Sequence, residues 1–98
     1  MEDRIRYIEL YDQYSKLLTE KQQTYFEEYY YNNLSLQEIS ELYNVSRNAV
    51  FKTLKDVTIK LDDFESKLML LKKQKEIKNI LEEIEDKELK ERVMDVLW

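Results

Sequence analysis

The chain has 98 residues, with 16 Lys and Arg against 21 Asp and Glu and a formal net charge of −5. This length provides for one domain with one modest hydrophobic core. Because the sequence has no cysteine and no histidine, its composition excludes disulfides, thiolate zinc sites and histidine-based nucleophilic triads. We therefore expect a protein that is not an enzyme, and we predict no metal, no other cofactor and no small-molecule substrate.

Long helices and a cytoplasmic location are expected from the same composition. The sequence contains neither glycine nor proline, the residues that most disfavour a helix interior. It has no run of about 18 apolar residues that would span a bilayer. Residues 1–4 include two acids, whereas a signal peptide begins with a basic flank and an apolar core. We therefore predict a cytoplasmic protein without membrane insertion.

The first two predicted elements are helices, and the capping residues Ser, Thr, Asn and Asp mark where helices begin. The first helix is predicted for residues 3–18. Thr19 and Gln22 lie three positions apart and predict a capping box that starts the second helix. The apolar positions, at helical spacing, are Tyr7, Tyr11, Tyr14 and Leu18 in the first helix and Tyr25, Phe26, Tyr29 and Tyr30 in the second.

A helix-turn-helix is predicted for residues 36–55. Ser35 with Glu38 forms a second predicted capping box, which opens a short helix over residues 36–43. The motif then needs a small residue at the contact between its helices, a residue that tolerates left-handed geometry, and apolar anchors. The inward residues of the short helix are predicted to be Leu36, Ile39, Leu42 and Tyr43, and Ser40, Asn44, Val45 and Val50 meet the requirements of the motif. The alternative interpretation of residues 36–55 is two core helices with a polar corner.

The helix that follows Ser46 is predicted to be the recognition helix, because its polar and basic residues lie opposite or beside Val50 and Leu54. Residues 47–60 contain four bases against Asp56 alone, whereas residues 1–46 contain nine acids against four bases. Phe51 has two open interpretations, stacking on a base or packing under the long helix. The predicted nucleic-acid-binding residues are Ser46, Arg47, Asn48, Phe51, Lys52 and Lys55.

Apolar residues continue along this fourth helix at alternating steps of four and three, which is the spacing of a coiled-coil seam. We predict a long helix that reaches about residue 73, followed by a C-terminal helical tail in which Asp86 caps the last helix. The helix-turn-helix domain is predicted for residues 1–60 and its extension with the tail for residues 61–98, within one structural unit. Because the seam is longer than a three-helix domain covers, we predict a homodimer, with a folded-back tail as the alternative. The dimer or tail-packing stripe is Val57, Leu61, Phe64, Leu68 and Leu71.

Four segments resemble the DNA-binding region of bacterial sigma factors: residues 18–22, 29–30, 35–40 and 45–51. The small size and the Leu/Lys/Glu-rich tail resemble more closely the YlxM-like family of helix-turn-helix proteins, over residues from about 7 to 80. The resemblance implies an all-α, sigma-4-like helix-turn-helix bundle with a regulatory role. It carries the contact function to Ser46, Arg47, Asn48, Lys52 and Lys55.

The resemblance also implies a set of partners. The YlxM-like family is encoded beside the genes of the signal recognition particle, so the implied partners are the RNA of this particle, its GTPase and the DNA of the operon. At the turn, Asn44 departs from the glycine that is common in helix-turn-helix proteins.

Three functions are compatible with the sequence. The first is a regulator that binds duplex DNA, and the second uses the same basic face on structured RNA while the long helix docks a protein of the targeting machinery. The third is a non-enzymatic interaction module or adaptor that binds a protein or RNA through the long helix. Only Arg47 and Asn48 are clear base readers, so the sequence does not separate DNA from RNA. The acidic net charge favours the third function, and the local basic face favours the first two.

Overall fold

The computed structural model describes residues 3–97, and within this range it contains six α-helices and no strand. The predicted all-α fold is confirmed. The chain forms two compact units, one that ends at Leu68 and one that begins at Met69. The helices are α1 (Arg4–Tyr14), α2 (Glu20–Phe26), α3 (Leu36–Tyr43), α4 (Arg47–Leu68), α5 (Leu70–Glu82) and α6 (Lys87–Leu97).

The first helix ends earlier than the sequence predicts. Asp3 caps α1 by accepting a hydrogen bond from the backbone N–H of Arg6 at 3.1 Å. After Tyr14 the chain tightens into a 3₁₀ turn at Ser15–Leu17, and Leu18 and Thr19, the predicted first residue of the next capping box, are extended. That capping box is confirmed: Thr19 and Gln22 exchange side-chain and backbone hydrogen bonds, and α2 follows.

An aromatic cluster fills the first unit between α1 and the turn after α2. The second helix continues beyond Phe26 as a π-helical turn at Glu27–Tyr31. The ring of Phe26 is fully buried and stacks on Tyr11 at 4.1 Å and on Tyr30 at 4.2 Å between ring centroids. Stacked rings of this kind contribute beyond their buried area, so the cluster joins α1 to the end of α2.

Arg4 fastens the start of α1 to the end of the π-helical turn. Its guanidinium donates hydrogen bonds to the backbone oxygens of Tyr29 at 2.8 Å and Tyr30 at 2.7 Å, and to the Asn33 side-chain oxygen at 2.7 Å. It also lies 5.6 Å and 5.2 Å from the ring centroids of Tyr29 and Tyr30. Carbonyl groups at a helix end need external donors, and Arg4 supplies them here.

The core beneath the helix-turn-helix consists of side chains from α2, α3 and α4. Tyr25, Ile39, Val50 and Leu54 form its buried cluster. Two of the four inward positions predicted for the short helix are wrong, because Leu42 and Tyr43 are exposed while Ser40 is buried. The helix turns a narrower face to the core than its apolar pattern suggests. Half-buried residues packed against the cluster are Tyr29, Leu34, Leu36 and Val45.

The predicted straight helix to about residue 73 is wrong. Helix α4 ends at Leu68, and Met69 takes the left-handed conformation with φ 55° before α5 begins. A residue at such an angle cannot continue an α-helix, although no glycine or proline marks the break. Residues 60 and 61, where the sequence suggests a division between domain and extension, lie inside α4.

The predicted stripe is used unevenly along α4 and α5. Val57 and Leu61 have no exposed surface, Phe64 is half-buried with its ring 5.8 Å from that of Tyr14, and Leu68 is exposed. Helix α4 packs against α1, α2 and α3. The part of the stripe nearer the N-terminus, Val57 and Leu61, therefore belongs to the core of the first unit.

The second unit consists of α5 and α6, joined by residues 83–86. Asp86 caps α6 as predicted, since its carboxylate accepts a hydrogen bond from the backbone N–H of Leu89 at 3.1 Å. In α5 the buried residues are Leu71 and Leu81, and α6 has none. Between residues 3 and 97 no helix is long and apolar enough to cross a membrane.

Candidate nucleic-acid interface

The turn of the helix-turn-helix is built as its sequence predicts. Asn44 adopts the left-handed conformation with φ 54° and ψ 49°, and its backbone N–H donates to the carbonyl of Ser40. The N–H of Val45 donates to the same carbonyl at 3.0 Å. Asn is one of the few residues other than glycine that tolerates this conformation. Buried Ser40 donates its hydroxyl to the Gln37 carbonyl at 2.7 Å, so a small polar residue is satisfied at this close contact.

Ser46 starts the recognition helix. Its hydroxyl oxygen accepts a hydrogen bond from the backbone N–H of Ala49 at 3.0 Å, which is N-cap geometry. The first turn of α4 then carries Arg47 and Asn48, with the positive end of the helix dipole beside them. Phosphate groups bind readily at such a helix start.

The predicted contact residues share one exposed arc of α4. At 100° per residue, Asn48, Phe51, Lys52 and Lys55 lie on the side away from the buried residues, and Arg47 borders them. All of these residues and Ser46 are exposed. Phe51 is 41% exposed, so the structure does not place it under the long helix. We call the set Ser46, Arg47, Asn48, Phe51, Lys52 and Lys55 the α4 face.

The cations of the α4 face are not engaged by acids of the described chain: in residues 3–97, no ion pair involves Arg47, Lys52 or Lys55. Asp56 is exposed one turn after Lys52, and within residues 3–97 no ion pair joins these two side chains. The lysine stems are thus free to carry their charges toward an anionic surface.

Asp62 is the next acid along the same side of α4, and it is already bound. Its carboxylate accepts a hydrogen bond from the Tyr7 hydroxyl at 2.8 Å and forms an ion pair with Arg6 at 3.1 Å. Burial raises the pKa of Tyr7, and the hydrogen bond to Asp62 raises it further. These contacts offset the negative charge that would otherwise end the positive face, and the sequence prediction did not include them.

Ile59 is a further residue of this side that sequence reasoning missed. It lies four positions after Lys55 and is 57% exposed. Its spacing from Phe51 and Lys55 places it on the same arc, so helical periodicity applied beyond Lys55 would have identified it. The exposed arc of α4 therefore continues beyond the α4 face to an apolar side chain, Ile59.

A polar contact joins the π-helical turn after α2 to the end of α3, the first helix of the motif. The Tyr43 hydroxyl at the end of α3 donates to the Glu28 carboxylate at 2.7 Å, and the Asn32 amide donates to the other carboxylate oxygen at 2.7 Å. These two hydrogen bonds lower the pKa of Glu28. The contact fixes the end of α3, from which the turn and α4 follow.

The described chain has no cluster of metal-ligating side chains. Between residues 3 and 97 there is no group of three or more His, Cys, Asp or Glu side chains placed to hold a metal ion. The α4 face is a convex surface on one helix, with three exposed cations, Arg47, Lys52 and Lys55.

Comparison with known proteins agrees with this geometry. The family model described as "Putative helix-turn-helix protein, YlxM / p13 like" matches residues 1–97. A UPF0122 protein of Thermoanaerobacter sp. (strain X514) is 52% identical over 75 residues, which are 76% of this chain and 64% of the relative. The chain therefore spans somewhat less than two thirds of that relative.

Two other relatives align over more of the chain. A UPF0122 protein of Clostridium novyi is 47% identical over 92 residues, covering 90% of this chain and 80% of the relative. A UPF0122 protein of Mycoplasma pneumoniae is 35% identical over 94 residues, covering 96% and 92%. With a confirmed turn, a capped recognition helix and these matches, the chain belongs to the UPF0122 family of YlxM/p13-like helix-turn-helix proteins.

Proposed function

We propose that this chain is a non-enzymatic, cytoplasmic regulatory protein that binds duplex DNA through the α4 face. The observation that carries the proposal is the set of exposed cations in the first turns of α4, at a helix start held by the Asn44 turn and the Ser46 cap. Phosphate contacts supply most of the affinity of such proteins, and a few base contacts supply specificity.

Duplex DNA suits the shape of this surface. The contacts lie on one side of a single helix, and the major groove of B-DNA is about 12 Å wide and admits an α-helix. The major groove of A-form RNA is deep and narrow, so side chains do not read it. In this arrangement Arg47 and Asn48 reach base edges, while Lys52 and Lys55 reach phosphates.

Structured RNA is the second candidate, and exposed Phe51 favours it. An aromatic ring beside cations provides a stacking surface for an unpaired base. The family resemblance adds the RNA of the signal recognition particle as a specific probe. Binding of this RNA in preference to duplex DNA would assign the α4 face to the second function and connect the chain to the targeting pathway.

The test is a salt titration of binding, measured by fluorescence anisotropy with a labelled random duplex, the upstream DNA of the operon and the particle RNA. If Lys52 and Lys55 each neutralise one phosphate, log K falls with a slope of about −1.8 against log salt. Affinity then falls about 12-fold between about 50 and 200 mM salt. For Lys52→Glu with Lys55→Glu both phosphate contacts are lost, and this salt dependence should almost disappear.

The matched control is Lys16→Glu with Lys60→Glu, which makes the same charge change at exposed lysines. Lys16 lies two residues after Tyr14, whose hydroxyl donates to the Glu65 carboxylate near the other end of α4. Lys60 lies on another side of α4 than Lys52 and Lys55. This control should keep the wild-type slope. If the Lys52 and Lys55 variant is folded and also keeps that slope, the α4 face is not the working surface and the interaction-module function takes its place.

A further inference from the structure

Phe51 is the one apolar side chain among the exposed residues from 46 to 58. It is 41% exposed, and the other exposed residues of this stretch are polar or charged. The aromatic ring contacts within residues 3–97 do not include Phe51. The fold therefore leaves this aromatic residue accessible to a partner of the α4 face.

The neighbours of Phe51 on the helix are the two residues proposed to reach base edges. Phe51 follows Arg47 by four positions and Asn48 by three, and residues at these spacings are neighbours on a helix surface. From Arg47 to Phe51 the helix rises about 6 Å, which is less than the width of about 12 Å of the major groove. A helix that brings Arg47 and Asn48 to base edges therefore brings Phe51 into the same groove.

We propose that Phe51 selects thymine in duplex DNA by packing against the 5-methyl group of this base. The inference rests on the proposed function, because it requires the α4 face to lie in the major groove. Bases are stacked inside a duplex, so a side chain in the groove meets their edges and not their faces. Among the groups that distinguish the base pairs there, the thymine methyl is the apolar one, and the others are hydrogen-bond donors and acceptors. An apolar ring therefore has one chemically matched contact in the groove.

Asn48 favours the same base pair. In the major groove an asparagine amide binds adenine through N6 and N7, and the partner of adenine in the duplex is thymine. Because Asn48 and Phe51 are neighbours one turn apart, an A·T pair read by the amide presents a thymine methyl close to the ring. The two side chains together favour A·T pairs beneath the first two turns of α4.

The methyl group also separates this role of Phe51 from stacking on an unpaired base of RNA. A base stacks through its face, and thymine and uracil have the same ring. Packing against the groove edge of thymine depends on the methyl group, which uracil lacks. Exchange of thymine for uracil thus changes the contact proposed here and leaves a stacking contact in place.

The experiment compares one duplex with versions of it in which deoxyuridine replaces each thymine in turn. The wild-type chain first selects its best-bound duplex from a random-sequence pool, and fluorescence anisotropy then gives the affinities. Burial of one methyl group changes a binding constant about fourfold, so the wild type should lose about fourfold in affinity at the contacted thymine. Phe51→Ala should bind the thymine and uracil versions equally, and Phe51→Leu, which keeps an apolar side chain, should retain a preference for thymine.

Leu42→Ala is the control, because Leu42 is an apolar residue of α3 outside the α4 face, at 59% exposure. This variant should keep the affinity of the wild type and its preference for thymine. A wild type that binds duplex DNA with the expected salt slope but tolerates every deoxyuridine would overturn the inference and leave the proposed function standing. A preference for thymine that persists in Phe51→Ala would overturn it as well. Absence of duplex binding would overturn the proposed function and this inference together.

Discussion

Replacing Arg4 with alanine is expected to destabilise the first unit far more than its position in the first turn of a helix suggests. The guanidinium donates to two partly buried carbonyl oxygens, of Tyr29 and Tyr30, and to the side chain of Asn33. A hydrogen bond that involves a charged group contributes about 1.5–3 kcal/mol. Because water can reach part of this site, we expect a total loss of about 2–3 kcal/mol.

Arg6→Ala is the matched comparison, two residues further along the same helix. Its ion pair with Asp62 is 3.1 Å long, but the two side chains are 46% and 45% exposed. Exposed pairs contribute about 0–1 kcal/mol. Asp62 also keeps its hydrogen bond from the Tyr7 hydroxyl in this variant. We therefore expect a loss of no more than about 0.5 kcal/mol.

Urea unfolding and thermal unfolding, both followed by circular dichroism, measure the two variants against the wild type. At about 4–8 °C for each kcal/mol in a domain of this size, the melting temperature of Arg4→Ala should fall by about 10 °C or more, and that of Arg6→Ala by at most a few degrees. Equal losses in the two variants would refute the assignment of Arg4 as the donor that caps the π-helical turn.

Two further predictions concern pH and the break between the helices. Burial raises the pKa of Tyr11, and the hydrogen bond to Glu27 raises it further. As pH rises, the Tyr11 hydroxyl therefore ionises in the unfolded chain before it does so in the folded one. The stability of the wild type should thus fall as pH rises above 10, the ordinary pKa of tyrosine. Tyr11→Phe should show a shallower alkaline loss in urea midpoints, and an unchanged slope would contradict this. Met69 has φ 55°, a left-handed conformation that glycine adopts at no steric cost. Met69→Gly should therefore raise the free energy of unfolding by about 0.5–1 kcal/mol, whereas Met69→Ala should not. Equal melting temperatures of the two variants would contradict the left-handed break.

Local signals predicted the helix-turn-helix well. The capping boxes at Thr19 and Ser35, the left-handed Asn44 and the caps at Ser46 and Asp86 all appear in the structure. Each depends on residues within about four positions of one another, so side-chain chemistry and spacing suffice to predict them. The exposure of the α4 face followed from the same periodicity, because Val50 and Leu54 fix which side of the helix is buried.

Contacts between residues that are far apart in the sequence could not be predicted from it. Nothing near Arg4 indicates that it would meet Tyr29 and Tyr30, and nothing near Asp62 indicates that Tyr7 would bind it. These contacts depend on how the helices pack, and several arrangements satisfy the same apolar pattern. The sequence therefore predicted the cations of the α4 face, but the contacts that offset the charge of Asp62 beside it could be found only in the structure.

The stripe along α4 shows why an apolar seam does not by itself identify its partner. Steps of four and three place Val57, Leu61 and Leu68 on one side of a helix whether that side meets another copy or the core of its own chain. The structure distinguishes the two cases by the burial of these residues. The helices of the first unit cover Val57 and Leu61 completely, and α4 ends at Leu68, which is exposed. Because Val57 and Leu61 are used in this core, that part of the seam has no surface left to meet a second copy.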